Sequence, residues 1–152
     1  MYNVIVADDE KNIREGIVEL IEWEKLGCKV CASMQNGAQV LKYLEEEKIH
    51  VDIIITDIKM PIMDGMELIG MLNERFPDIK VIILTAYSDF TYAQQAIKFQ
   101  VSDFVVKNDF FLELPRAVKK IIEQCEVDAK KMCGQRERDP LFPRRSMQGM
   151  CV

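Results

Sequence analysis

One stretch of the chain carries its clearest structural signal: VDIIITD, residues 51–57. Its apolar run, broken only by Asp52 near the start, is typical of a central strand buried on both faces of a parallel sheet. Asp57 stands where that strand ends. Because open α/β sheets bind ligands beyond the carboxyl ends of their strands, we expect Asp57 to lie in a binding crevice.

Other β-like runs of the chain also end in polar residues. They are Asp8 and Asp9 after Val4–Val6, Thr85 after Val81–Leu84, and Lys107 after Phe104–Val106. If the runs are parallel strands of one sheet, their carboxyl ends share an edge. We therefore expect these side chains and Asp57 to form one site.

Between these runs the apolar residues change to the 3.6-residue spacing of helices that pack on a sheet. The first helical stripe is Ile13, Ile17, Leu20 and Ile21, and a last one begins at Leu114. Further helices are predicted at about 37–48, 65–75 and 90–99, and the second strand at about 28–33. The pattern predicts an α/β fold of the (βα)5 type, a doubly wound five-stranded parallel sheet.

Length and charge limit the organisation of the chain. We expect residues 1–125 to form one domain and residues 126–152 a helix extension to about Met132 followed by a disordered tail. Six basic and four acidic residues in 126–152 leave 14 basic and 21 acidic residues in 1–125, a net charge of -7. A body this acidic is a poor nucleic-acid binder.

The sequence shows neither a membrane span nor a secretory signal. No apolar run approaches the roughly 18–20 residues of a span, and the start leads directly into a strand. We expect a cytoplasmic protein. Cys28 and Cys31 match C-x-x-C, but residues three apart in a strand point to opposite faces, so we interpret them as small core residues.

The residue types at the strand ends suit phosphoryl transfer. A phosphoryl group in transfer spreads negative charge over its oxygens, so positioning and cationic neutralisation, commonly by magnesium, supply most of the catalysis. Magnesium prefers carboxylate and water oxygens, and Asp8, Asp9 and Asp57 offer three carboxylates. We interpret Asp57 as the nucleophile, because carboxylates form acyl phosphates, with Lys107 and Thr85 contacting the phosphate.

The strand-end order Asp-Asp, Asp, Thr, Lys, with KMPIMDG at residues 59–65 after Asp57, resembles the receiver domain of two-component response regulators. The resemblance covers about residues 1–125. It implies the flavodoxin-like strand order 2-1-3-4-5. It also implies a role for each matching residue: Asp57 as phosphoacceptor, Asp8 and Asp9 as magnesium-binding pair, Lys59 as metal ligand through its carbonyl, Thr85 and Phe104 as switch residues, and Lys107 as phosphate contact.

In that family a sensor histidine kinase donates the phosphoryl group, and the receiver catalyses only its own loading and hydrolysis. The resemblance implies a shift in the surface formed by the fourth helix, fifth strand and fifth helix, through which homodimers can form. Residues 21–27 and 86–93 are similar to the subgroup that precedes an AraC-type DNA-binding domain. DNA binding is therefore expected only of an output domain that these residues do not contain.

Asn108 departs from the family pattern, which has a proline after the lysine, usually in a cis bond. A cis bond to a non-proline residue costs about 2.5–4 kcal/mol, so we expect a trans Lys107-Asn108 bond and a redrawn loop. Two alternatives stay open. One is a degenerate receiver that signals without phosphate, and the other is a haloacid-dehalogenase-like phosphatase, which requires a D-x-D after the first strand.

Overall fold

Five parallel strands form one sheet in the computed structural model, which describes residues 1–46, 49–86 and 101–138, with backbone alone for 128–138. The strands are β1 Tyr2–Ala7, β2 Cys28–Met34, β3 Ile53–Asp57, β4 Lys80–Thr85 and β5 Asp103–Val106. Their order across the sheet is β2-β1-β3-β4-β5, and every neighbouring pair is parallel. The predicted fold and strand order are confirmed.

Helices connect these strands along the chain. They are α1 Lys11–Leu20, α2 Gly37–Glu46, α3 Gly65–Arg75 and a long helix Phe110–Arg138, with 3-10 turns at Trp23–Leu26 and Lys107–Asp109. The helix predicted at 65–75 is confirmed at both ends. The helix predicted at 90–99 lies outside the described residues.

The apolar core surrounds the central strand. All residues of β3 are buried, as predicted for a strand covered on both faces. On one side of the sheet, Ile5 and Ile54 belong to the same buried cluster as Val40 of α2 and Leu68 of α3. Each fully buried side chain of this size contributes about 1.5–3 kcal/mol. This packing holds the carboxyl end of β3 in place.

The first helical stripe is partly wrong, because Leu20 is 57% exposed. Helix α1 ends at Leu20, and the chain continues extended through Ile21. Ile21 and Trp23 are buried, and the Trp23 indole donates to the Ile17 carbonyl at 3.0 Å. These two side chains take the core position that the helical period assigned to Leu20.

The long helix continues past its predicted end near Met132 and reaches Arg138. Gly134 did not end it, because a glycine within a helix costs only about 1 kcal/mol relative to alanine. The prolines at 140 and 143 come later in the chain. The predicted disordered tail from residue 139 onward lies outside the described residues.

The chain divides into two compact units, Met1–Ala117 and Val118–Val152. The first holds the whole sheet and its strand ends, and the described part of the second is the remainder of the long helix. The predicted domain boundary near residue 125 stays a prediction. None of the described helices combines the length and the apolar character that a bilayer crossing requires.

Candidate functional site

The strand register brings the polar strand-end residues to one edge of the sheet. Ala7 pairs with Thr56, so Asp8 follows at the level of Asp57. Asp57 in turn pairs with Leu84, which places Thr85 one residue further along β4. Thr85 pairs with Val106, and Lys107 comes next. The predicted edge therefore exists, and four of its polar residues lie within it.

The Lys107 ammonium lies at the centre of this edge. Its Nζ donates to Asp57 Oδ2 at 2.9 Å, to Glu10 Oε1 at 3.1 Å and to Asp8 Oδ1 at 3.4 Å. Lys107 itself is only 9% exposed. A buried lysine is stable only when paired, and here three carboxylates supply the pairing.

Asp57 is held at both carboxylate oxygens. Oδ1 accepts a hydrogen bond from the Ile58 N–H at 2.7 Å, and Oδ2 accepts from Lys107. Burial raises the pKa of Asp57 to about 6, and the nearby Asp8 carboxylate raises it further, while the Lys107 hydrogen bond opposes both. The cause is an excess of carboxylates over ammonium groups in a site with little water.

Asp8 and Lys107 respond to the same imbalance. Burial raises the pKa of Asp8 above its ordinary value, and the hydrogen bond from the Glu10 N–H and the Lys107 charge only partly oppose that rise. Burial lowers the pKa of Lys107, but the hydrogen bond and charge of Asp57 outweigh it, and the net pKa lies above its ordinary value. The ammonium is therefore a firm cation, and the cluster retains surplus negative charge.

Four carboxylates of the cluster converge closely enough to suit a divalent cation. Asp8, Asp9, Glu10 and Asp57 each offer one oxygen, and these oxygens lie within 4.8 Å of one another. Oxygens on opposite sides of a bound Mg²⁺ lie about 4.2 Å apart, so a small contraction suffices. Buried Asp8 Oδ2, 3.2 Å from Lys107 Nζ, has no hydrogen bond to any part of the chain that the structure describes. The residues present fit a magnesium ion.

The other predicted site residues take varied positions. Asp9 is exposed beside Asp8, and Lys59 is exposed two residues after Asp57. Thr85 is buried, and its hydroxyl donates to the Ala86 carbonyl at 2.9 Å. Phe104, in β5, is half-buried against the core. The roles of these residues stay predictions.

The loop after Asp57 packs tightly against the site. The Gly65 N–H donates to the Ile58 carbonyl at 2.7 Å, and a Cβ on Gly65 would collide with the backbone oxygen of Asp57. Asp64 caps α3 by accepting from the Glu67 N–H at 2.8 Å. Ile62 has a φ of 69°, in the left-handed region that β-branched residues rarely adopt. The KMPIMDG motif thus forms a compact loop with one strained residue.

Sequence reasoning missed two residues that contact this site. Glu10 binds Lys107, and Arg14 Nη1 donates to the Asp8 carbonyl at 2.7 Å. Glu10 directly follows the Asp8-Asp9 pair at the carboxyl end of β1, so a third consecutive acid was an available signal. Arg14 had no comparable signal, because a single basic residue on a helix is usually solvated.

The expected trans bond at Asn108 is found, since the described residues contain no cis peptide bond. The chain forms a 3-10 turn at Lys107–Asp109 and then enters the long helix at Phe110. Lys107 still reaches Asp57 through this turn. The departure from the proline pattern therefore leaves the lysine contact in place.

The predicted core role of Cys28 and Cys31 agrees with their positions. Cys28 is buried, Cys31 is half-buried, and both thiols are free. His50 lies away from the strand-end cluster, with its Nε2 3.1 Å from Asp52 Oδ1 near the start of β3. Asp52 Oδ2 also accepts from the Asn3 N–H at the start of β1.

Residues 4–119 match the family model described as response regulator receiver domain. The chain belongs to the response regulator receiver family. This assignment confirms the predicted resemblance and removes the haloacid-dehalogenase-like alternative. In this receiver the fold, strand order and acidic edge all agree with the family.

Proteins of known sequence and structure resemble this receiver over most of its length. The transcriptional regulatory protein YesN of Bacillus subtilis is 38% identical over 107 residues, which are 70% of this chain and 28% of YesN. The transcriptional regulatory protein HptR of Staphylococcus aureus is 30% identical over 138 residues, 88% of this chain and 53% of HptR. The receiver thus spans about half or less of these curated relatives.

A solved structure of the receiver domain of AraT, a response regulator from Geobacillus stearothermophilus, superposes with a TM-score of 0.71. The identity is 38%, and the match covers 81% of this chain and 96% of that one. A two-component transcriptional regulator AraC from Clostridium phytofermentans is 31% identical with a TM-score of 0.70, and the match covers 81% of this chain and 94% of that one. Both agree with the predicted subgroup.

Proposed function

We propose that this receiver accepts a phosphoryl group on Asp57 from a sensor histidine kinase and thereby switches an output, namely transcription. The observation that carries the proposal is the buried Asp57 carboxylate, held 2.9 Å from the Lys107 ammonium among other carboxylates. The names of YesN and HptR, both transcriptional regulatory proteins, support the choice of output. The donor class implies a cytoplasmic reaction.

The proposed reaction is a direct displacement at phosphorus. A carboxylate oxygen of Asp57 attacks the phosphorus and forms an O–P bond while the bond from phosphorus to the donor breaks. The donor, a phosphohistidine or a small acyl phosphate, leaves with the electron pair. Lys107 balances the negative charge that collects on the transferring oxygens. The receiver catalyses its own loading and hydrolysis and acts on no other substrate.

Mg²⁺ supplies further neutralisation of the transferring phosphoryl oxygens when it is bound. We assign its ligands to the Asp8, Asp9 and Asp57 carboxylates and the Lys59 backbone carbonyl. The convergence of the carboxylate oxygens and the unpartnered Asp8 Oδ2 support this assignment. Arg14 orients Asp8 by donating to its backbone carbonyl.

The proposed switch uses Thr85 and Phe104. The Thr85 hydroxyl, which donates to Ala86 at rest, turns to a phosphoryl oxygen after loading. Phe104 then moves further into the core that it already contacts. Such a change is a population shift, since the phosphoryl group must bind one conformer better than the other. Homodimerisation through the fifth strand and its neighbouring helices follows as a proposal, and the fourth predicted helix lies outside the described residues.

The deciding experiment is incubation with acetyl phosphate and Mg²⁺, followed by intact mass measurement. One added phosphoryl group is expected in the wild type and none in Asp57→Asn. Asp78→Asn, at an exposed aspartate, is the matched control and should load normally. A wild type that gains no mass would support the degenerate receiver and overturn the proposal.

Dimerisation needs its own measurement. Light scattering with and without beryllofluoride, which mimics the phosphoryl group on aspartate, compares the two states directly. A doubled mass in beryllofluoride is expected from the proposed switch. An unchanged monomer mass would remove the dimer from the proposal while leaving the phosphorylation of Asp57 intact.

A further inference from the structure

Glu10 binds the same ammonium as Asp57, although the function proposed above gives Glu10 no part. Its Oε1 lies 3.1 Å from Lys107 Nζ, across 97 residues of sequence. Its backbone N–H donates to Asp8 Oδ1 at 2.9 Å. Glu10 is therefore attached to the site by its main chain and by its side chain.

The position of Glu10 in the chain makes this contact notable. Glu10 is the N-cap residue of α1, with extended backbone angles, yet its side chain caps no helical N–H. N-cap residues usually have short side chains that accept from the first turn of the helix. Here the carboxylate instead reaches across to Lys107, so local helix stability does not explain it.

The lysine has no donor to spare in this state. An ammonium group has three N–H donors, and Lys107 contacts three carboxylates, those of Asp8, Glu10 and Asp57. A phosphoryl oxygen on Asp57 can therefore bind Lys107 only if one existing contact is given up. The identity of that contact affects how readily the site loads.

Exposure identifies the contact that is easiest to exchange. The Glu10 side chain is 60% exposed, whereas those of Asp8 and Asp57 are 0% and 5% exposed. A released Glu10 carboxylate passes into water, but a released Asp8 would remain buried and uncompensated. Glu10 is thus the partner that Lys107 exchanges.

We propose that Glu10 is a positioning residue that tethers Lys107 in the unphosphorylated state and so slows phosphoryl acceptance by Asp57. This inference rests on the proposed function. During loading, one Lys107 N–H turns from Glu10 to a phosphoryl oxygen, and no covalent bond of Glu10 changes. The residue after the acidic pair then tunes the loading rate of this receiver.

A double-mutant cycle tests the tether without any phosphorylation. Urea unfolding in EDTA compares wild type, Glu10→Gln, Lys107→Met and the double variant. The change in folding constant caused by Glu10→Gln should be roughly two- to fivefold less favourable with Lys107 present than in the Lys107→Met background. Glu15→Gln, in an exposed pair with Lys11, should act equally in both backgrounds. An equal effect of Glu10→Gln in both backgrounds would overturn the inference.

The loading rate tests the consequence of the tether. With acetyl phosphate and saturating Mg²⁺, Glu10→Gln should load Asp57 roughly two- to fivefold faster than wild type. Glu15→Gln removes the same charge elsewhere on α1, so its rate measures general repulsion of the anionic donor. A rate in Glu10→Gln that is unchanged, slower or matched by Glu15→Gln contradicts the inference. A wild type that never loads defeats the proposed function and the kinetic half of this inference, and the unfolding cycle then reports on the tether separately.

Discussion

Lys107 Nζ lies 2.9 Å from Asp57 Oδ2, although 50 residues separate them in the chain. The contact forms even though Asn108 stands where the family pattern has proline, because the 3-10 turn at Lys107–Asp109 directs the side chain toward β3. The pair sits among surplus carboxylates, so the site stores unfavourable charge at rest. Binding of cationic ligands and loss of carboxylates should therefore both stabilise the fold.

Asp57→Asn should stabilise the metal-free protein at pH 8. The pKa of Asp57 is raised from 3.8 to about 6 in the folded state, so the folded protein binds that proton more tightly than the unfolded chain. The ionised carboxylate therefore costs stability, by at most about 3 kcal/mol above pH 6. Below pH 4 the carboxylate is protonated in both states, and the advantage of the variant should vanish.

Urea unfolding in EDTA between pH 4 and pH 8 measures this difference. Asp78→Asn, at an exposed position, should follow the wild type at every pH. An Asp57→Asn advantage of the same size at pH 4 and pH 8 would show that charge is not its cause.

Asp8→Asn should weaken the stabilisation of the protein by Mg²⁺. A cation that binds only the folded state at a concentration 100 times its Kd adds about 2.7 kcal/mol of stability. The buried Asp8 Oδ2 is the oxygen without a hydrogen bond among the described residues, so its loss should remove a ligand. Thermal unfolding with Mg²⁺ and with EDTA measures the shift, and Glu15→Gln should retain the full wild-type shift. A full shift in Asp8→Asn would place the ion elsewhere.

Gly65→Ala should destabilise the receiver, because the added methyl group would collide with the Asp57 carbonyl oxygen and approach Ile58 Cα to 2.9 Å. Overpacking of this kind costs about 1–3 kcal/mol. Gly70→Ala is the matched control in the same helix, where nothing lies within 4 Å of the new methyl group. It should gain about 0.5–1 kcal/mol. Denaturant unfolding of both variants, with opposite signs expected, checks the close approach.

Ile62→Gly should stabilise the loop after Asp57. Ile62 is 83% exposed and has a φ of 69°, so the fold holds a β-branched residue in a strained conformation and gains little from its burial. Strain of this type costs about 1–3 kcal/mol. Glycine removes it, at about 0.5–1 kcal/mol for its greater freedom in the unfolded chain.

Ile62→Ala serves as the control for that variant, because alanine removes most of the side chain but keeps the Cβ that opposes a positive φ. It should leave unfolding stability close to that of the wild type. If Ile62→Ala stabilises as much as Ile62→Gly, the exposed side chain and not the backbone is the source of the cost.

The sequence was sufficient for the sheet, its strand order and the polar edge at Asp57, Asp8 and Lys107. A buried parallel strand requires an apolar run, and the polar residue that ends it lies at the sheet edge, so local pattern and position agree. Helix 65–75 was equally readable, because Asp64 caps its start and its apolar period is regular.

The tertiary structure alone decided which partners those side chains choose. Leu20 is exposed because Ile21 and Trp23 fill its expected place, and Gly134 lies within a helix that reaches Arg138. The Lys107 ammonium meets Glu10 because strands distant in sequence adjoin in the sheet and a 3-10 turn aims its side chain. Side-chain direction depends on neighbours brought together by folding, and no local period of the sequence encodes it.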